Sequence, residues 1–429
     1  MRYFRIFIGS VLVCGFTFAQ TPPADSKQRV REARDLAKLG SDAIPKLQPM
    51  LSDPDVDVRV EAVKSIIEVG TQASLDPLIQ ATRDNDAEVQ IRATDGLVNF
   101  YMPGYVKHGL SASMKRVGNA FKGKFTDVND QVIDQYVRVR PEVIEALGKL
   151  ARGGISMESR ANAARALGIL RGQAAIPDLV EALRSKDDQV IYESLNAIQK
   201  IRDPSAATKI SFLLRDLNEK VQMAAIETTG LLRNREALPQ LRDVLKNARS
   251  NKVRRAALTA IAMIPDRESR PIYQRYIDDK DDALRAAAAE GFGRLQDKAD
   301  LPMIEKAYGA EQKRTAQLSD AFALVMLGKT EVAEMSPLQF LINTLNSSAW
   351  RGVARAFLVE LARDAGVRNS LQQALKRGTK EEKIELAQIL AFSGDKSTLQ
   401  SLDDLSHDPD TEVAQAAVNA SRTLKARLP

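Results

Sequence analysis

The stretch DPDVDVRVEAVKSIIEVG, residues 53–70, decides the fold, because versions of it return down the chain. They read DNDAEVQIRATDGLVNF at 84–100, KDDQVIYESLNAIQKI at 186–201, LNEKVQMAAIETTGLL at 217–232, SNKVRRAALTAIAMI at 250–264 and KDDALRAAAAEGFGRL at 280–295. Each sets a small polar residue three positions ahead of an apolar one, and most copies follow each other at a step of 31 or 32 residues. Asp55, Asp86, Asp187, Asn218, Ser250 and Asp281 hold that polar position, where a side-chain oxygen caps the free N–H groups of a starting helix. A weaker copy has its cap near Ser156. A fixed period of this length marks stacked supersecondary units rather than a single closed core.

Working outward, each copy is the second helix of a two-helix unit. In the unit from Ala174, AAIPDLVEALRS supplies the first helix, with Pro177 tolerated in its opening turn. Ile176, Leu179, Leu183, Val190, Leu195, Ile198 and Ile201 then bury against the next unit. Apolar residues recur at helical spacing throughout, so almost no β structure is expected. Small residues such as Ala224, Ala225, Ala256, Ala257, Ala286 and Ala287 let neighbouring helices approach.

Asp55, Val58, Arg59 and Ala62 fit a pattern D/N/S-x-x-V-R-x-x-A. So do Ser250, Val253, Arg254 and Ala257, and, in a divergent copy, Ser347, Trp350, Arg351 and Ala354. On these residues the chain resembles the HEAT-repeat family, in particular the short HEAT-like repeats of phycobilisome lyases. The resemblance runs from about residue 40 to the end. It implies an all-α fold, an α-solenoid (HEAT/armadillo-like superhelix) of about eleven helix pairs, whose second helices line a concave binding surface. Arg59, Arg254, Arg285 and Arg351 recur at one helical position. They are read as ties to turn carbonyls and adjacent repeats rather than as an anion ladder.

Residues 1–19 carry Arg2 and Arg5, then an apolar stretch from Ile6 to Phe18, the layout of a secretory signal peptide. Cleavage is placed after Ala19, followed by a linker and a capping helix near Gln28 to Leu39 and by the solenoid from 41 to 429. An exported chain, periplasmic or extracellular, is expected. Cys14 is the only cysteine, so the mature chain lacks a thiol for disulfides, metal ligation or nucleophilic attack. Of 62 basic and 56 acidic residues, loss of Arg2 and Arg5 leaves a small excess that gives no reason to expect nucleic acid.

The period breaks at about 102–140. Met102 to Thr126 holds Lys107, Lys115, Arg116, Lys122 and Lys124 without an acidic residue, and Leu110, Met114, Val117 and Phe121 share one helical face. This basic amphipathic insertion is the candidate partner-binding segment, with Lys107, Lys115, Arg116, Phe121, Lys122 and Lys124 as its contact residues. Packing of the apolar face on neighbouring repeats is the competing reading. His108 and His407 lie far apart and outside any metal-ligand spacing, and no nucleophile elbow or phosphate loop is present. No catalytic, cofactor or metal site is assigned. Trp350 is expected to pack in the core, and Tyr273 and Tyr276 to form one partly buried stripe with both hydroxyls reaching solvent. The expected role is a non-catalytic scaffold binding a protein partner. A HEAT-like lyase or other enzyme, and a peripheral binder of anionic membrane or envelope polymer, remain the alternatives.

Overall fold

In the computed structural model the described residues are 25–106 and 131–428. The chain divides into two compact units, Met1–Pro77 and Leu78–Pro429. The described part of the first holds the helix Ser26–Leu36, a 3-10 segment Ala37–Ala43, the short helix Ile44–Leu47 and a long helix, α1, Val56–Val69. The remaining second helices are α2 Ala87–Tyr101, α3 Met157–Ile169, α4 Asp188–Ile201, α5 Glu219–Leu231 and α6 Asn251–Met263. They continue as α7 Asp282–Leu295, α8 Arg314–Met326, α9 Arg351–Leu361, α10 Lys380–Ser393 and α11 Thr411–Arg427. No strand occurs among the described residues.

The capping residues act as their chemistry dictates. Asp55, Asp86, Asp187, Asn218, Ser250 and Asp281 each accept a backbone N–H from the first turn of α1, α2, α4, α5, α6 and α7. Ser156 does the same for α3, and Ser159 reciprocates from the third position to complete a capping box. Each such cap is worth about 1 kcal/mol. The divergent copy departs from the pattern. The Ser347 carbonyl, not its hydroxyl, receives the Arg351 N–H at 2.8 Å, and Trp350 precedes α9 without a side-chain cap. Trp350 itself is partly buried and packs on the core cluster that includes Leu358 and Leu386.

First helices are shorter. Ile176–Ala182 carries Pro177 in its first turn, and the segment before α5 is two 3-10 pieces, Pro204–Lys209 and Ser211–Arg215. Ile176, Leu179, Leu183, Val190, Leu195 and Ile198 are buried, whereas Ile201 is only half-buried. Tyr273 is completely buried: its hydroxyl donates to the Ile261 carbonyl at 3.2 Å, and burial pushes the phenol up to about 12. The expectation of a solvent-reaching Tyr273 is therefore corrected. Only the half-buried Tyr276 behaves as the stripe suggested.

Within the larger unit the second helices touch at glycine. A Cβ on Gly168 of α3 would stand 2.8 Å from Ala197 Cα of α4, one on Gly230 of α5 2.8 Å from Ala260 Cα of α6, and one on Gly293 of α7 2.7 Å from Ala323 Cα of α8. Backbone meets backbone at all three, so neither side can yield by rotating a side chain. Elsewhere in a helix, Gly→Ala gains about 0.5–1 kcal/mol from propensity. Gly309→Ala, with nothing within 4 Å of the new Cβ, is expected to show that gain. Gly293→Ala is expected to reverse the sign and lose about 1–3 kcal/mol to overpacking. Urea unfolding of the two variants reads the difference directly; equal gains in both would show that the contact at Gly293 is loose.

Candidate partner-binding surfaces

The five cations of the basic insertion and its Phe121, namely Lys107, Lys115, Arg116, Phe121, Lys122 and Lys124, lie outside the described residues, as do His108 and residues 1–19, where a signal peptide was expected. What is described is the mouth of the insertion. The Arg140 N–H donates to the Tyr101 hydroxyl at 3.1 Å, and the Val106 N–H donates to Asn99 Oδ1 at 2.9 Å. The excursion thus leaves and rejoins the stack at one place. Its returning segment docks on helix ends: the Ile133 N–H donates to the Ile169 carbonyl at 3.0 Å, and Arg171 Nε donates back to the Ile133 carbonyl at 3.2 Å. Tyr136 then faces Arg422 of α11, 5.3 Å from guanidinium carbon to ring centre.

Most of the repeated arginines have the structural task expected of them. Arg59 Nη1 donates to the Asp53 carbonyl at 3.0 Å, Arg285 Nη1 to Asp279 at 2.7 Å and Arg351 Nε to Leu345 at 2.7 Å. In every case the carbonyl lies six residues earlier, in the turn ahead of the helix. Arg285 also bridges to the next repeat through Glu311, at 2.8 Å and 3.0 Å. Other pairs set one repeat apart include Arg165 with Glu193 and Arg355 with Glu385. Arg254 is the exception: it donates to its own helix at Asn251 Oδ1, 2.9 Å.

A second arginine row was not anticipated. Arg171, Arg202 and Arg233 close α3, α4 and α5 one repeat period apart, each in the left-handed conformation with φ of 51°, 59° and 53°. Gly70 fills the same role after α1, with φ of 58°. An L-residue there is disfavoured by roughly 1–2 kcal/mol. The sequence signal was available in the 31-residue spacing of the arginines, but helix-end conformation cannot be read from residue type when glycine is absent.

Arg233 shows what this row can hold. Its Nη2 lies 2.8 Å from Glu360 Oε1 of α9, a carboxylate 127 residues away, which Arg294 of α7 also grips at 2.9 Å. Arg294 is buried, paired to Glu290 at 2.9 Å and set 4.8 Å from the Phe322 ring centre. Burial raises the Glu360 carboxyl, but the hydrogen bond from Arg294 and the charges of Arg294, Arg233 and Arg363 overcome it and hold the group below the usual carboxylate range. Arg171, by contrast, has its guanidinium lowered by burial and then by the neighbouring Arg202, with Asp134 opposing. Neither Arg171 nor Arg202 has a carboxylate in ion-pair range among the described residues.

Removing Glu360 leaves a buried guanidinium short of a partner. Glu360→Gln is therefore expected to lower stability by about 3 kcal/mol, and Arg233→Gln, truncating an exposed partner, by less than about 1 kcal/mol. Chemical denaturation checks the ranking; comparable small losses would show the network to be superficial.

Asp320 of α8 is buried and raised to about 7, by burial first and by Glu311 second, against the pull of Arg285. Its native pKa exceeds the unfolded value, so its favourable contribution is complete below about pH 4 and is lost as pH rises through about 7. Asp320→Asn is expected to stabilise the protein at pH 8, by up to about 4 kcal/mol, and to leave stability at pH 4 almost unchanged. Thermal unfolding at the two pH values tests this; an equal shift at both would remove ionisation as the cause.

Among the described residues no group of three or more His, Cys, Asp or Glu side chains is arranged to hold a metal, and no helix is long and apolar enough to cross a membrane. His407 is exposed, its Nδ1 2.9 Å from the Asp403 carbonyl oxygen.

No curated protein matches the sequence. Among solved structures, the chain is similar to an engineered protein, at 18% identity over 94% of this chain and 97% of that one, with a TM-score of 0.34. It is also similar to the complex of CpcE and CpcF of phycocyanin lyase from Nostoc sp. PCC7120, at 17% identity, 61% and 90% coverage and a TM-score of 0.36. Kap121p gives 11% identity, 94% and 48% coverage and a TM-score of 0.40. The PBS lyase HEAT-like repeat matches residues 159–185, and HEAT repeats match residues 21–98, 208–264 and 238–324. With its capped second helices and one-period ion pairs, the chain belongs to the HEAT-repeat family.

Proposed function

We propose that the chain is an exported, non-catalytic scaffold that binds an acidic segment of a protein partner on its second-helix face. The observation that carries this reading is the pairing of Arg233 with Glu360, because one step of the left-handed arginine row already holds a carboxylate delivered from a distant part of the chain. Arg202 and Arg171 continue that row at the equivalent helix ends. Second helices pack about 8–10 Å apart, so carboxylates engaging successive steps would sit at every third residue of an extended peptide, which spans about 10 Å. The basic insertion, through Lys107, Lys115, Arg116, Phe121, Lys122 and Lys124, would add attraction for the same acidic partner.

Export rests on the charged and apolar layout of residues 1–19. The test is a pull-down from the exported fraction using the chain that begins at Gln20. It runs beside Arg171→Gln/Arg202→Gln and a deletion of Met102 to Thr126, with captured proteins identified by mass spectrometry. The reading expects one acidic partner, retained by the parent and depleted at least tenfold by the double substitution. Equal capture by all three chains would move the contact off both basic surfaces. Absence of the chain from the exported fraction would sink the localisation.

A further inference from the structure

The displaced Arg254 opens a different site. Where Arg59, Arg285 and Arg351 each reach a turn carbonyl six residues back, the equivalent of that carbonyl belongs to Ala248. The first helix of this unit runs Leu238–Asn247, longer than Ile176–Ala182 or Arg270–Tyr276, and Arg254 bonds Asn251 Oδ1 rather than the Ala248 carbonyl that follows that helix. Arg254 instead lines a cavity of about 500 Å³ between the first helices Leu238–Asn247 and Arg270–Tyr276 and the opening turns of α6 and α7. That volume lies in the range of sites for small organic ligands.

Four cations meet there: Lys246, Arg254, Arg275 and Lys280. None of them has a carboxylate in ion-pair range among the described residues. The two acidic residues at the lip are already engaged. Asp279 Oδ1 accepts the Asp281 N–H at 2.9 Å, while Asp281 caps Ala283 at 3.1 Å and pairs with Arg255 at 2.7 Å. Arg242 also lines the cavity, and its buried Nε has no hydrogen-bond partner, although the rest of its guanidinium binds Asp266 and Ser269. The remaining wall is apolar or aromatic, through Leu245, Ile272 and Tyr276.

Four cations against the two lip carboxylates leave an excess of positive charge, and a multiply charged anion relieves their mutual repulsion while taking the planar forks of Arg254 and Arg275. Lysine supplies point charges suited to phosphoryl oxygens, and the phenol and aliphatic wall suit a hydrophobic portion of the same molecule. We infer that this cavity is a binding site for a phosphoryl-bearing organic anion, built around an arginine that bonds its own helix at Asn251 in place of a turn carbonyl.

Isothermal titration of the full chain with tripolyphosphate, and flotation with vesicles of phosphatidic acid in phosphatidylcholine, test the site. The expected result is one saturable tripolyphosphate site, weakened at least tenfold by Arg254→Gln/Arg275→Gln and unchanged by Lys376→Gln/Arg377→Gln on a distant repeat, with melting temperatures of both variants near the parent. Vesicle binding lost in the first pair alone would assign a lipid headgroup as the source, and tripolyphosphate binding without vesicle binding a free phosphorylated compound. No saturable binding of either probe, or equal loss in both variant pairs, would overturn the inference.

Discussion

The contact of a glycine with the Cα of an alanine one repeat onward governs the larger unit. At Gly168 against Ala197, Gly230 against Ala260 and Gly293 against Ala323, second helices meet with no side chain between their backbones. Such contacts fix the spacing of neighbouring helices to within a methyl group, because protein interiors are close-packed and backbone cannot move aside. Everything placed on those helices inherits that spacing. Arg165 meets Glu193, and Arg285 meets Glu311, because each pair is carried by units already held in register. The charges refine an arrangement that apolar packing and small residues impose.

Two kinds of arginine result from the same repeat. Those at the start of the second helix turn inward to carbonyl groups and add to local stability, as Arg59 and Arg351 do. Those at its end, Arg171, Arg202 and Arg233, sit in an unfavourable left-handed conformation, and two of them reach across to other segments, Arg171 to the Ile133 carbonyl and Arg233 to Glu360. The Arg294, Glu360 and Arg233 cluster joins α5, α7 and α9, so stability in this part of the solenoid is not a sum of neighbour terms alone. A charge held this way resists rearrangement, since separation strands a buried guanidinium.

Helix starts were legible because capping is local chemistry: Asp55, Asp187 and Ser250 each need only the next two or three N–H groups. The family pattern was legible for the same reason. The divergent copy with Ser347 keeps the motif but not the cap, since Trp350 precedes α9 in a helical conformation without a side-chain cap. Tyr273 misled because i and i+3 spacing reports a helix face but not the carbonyl of Ile261 waiting opposite its hydroxyl. Glu360 could not have been assigned, since nothing local links it to Arg233 across 127 residues. Arg254 fits the repeated motif, and no local signal distinguishes it from Arg59, yet it bonds Asn251 on its own helix rather than a turn carbonyl.

The hydrogen bond between the Arg140 N–H and the Tyr101 hydroxyl makes residues 102–140 a detour with a closed mouth. Closing a loop becomes only slowly more costly as it grows, roughly 0.6 kcal/mol for each doubling of length. Chain can therefore be added or exchanged beyond that mouth while Pro141 still re-enters the stack at the same angle. The repeat supplies a fixed chassis, and a junction closed in this way tolerates a change in the length of the chain it encloses without retuning the packing of α2 on α3.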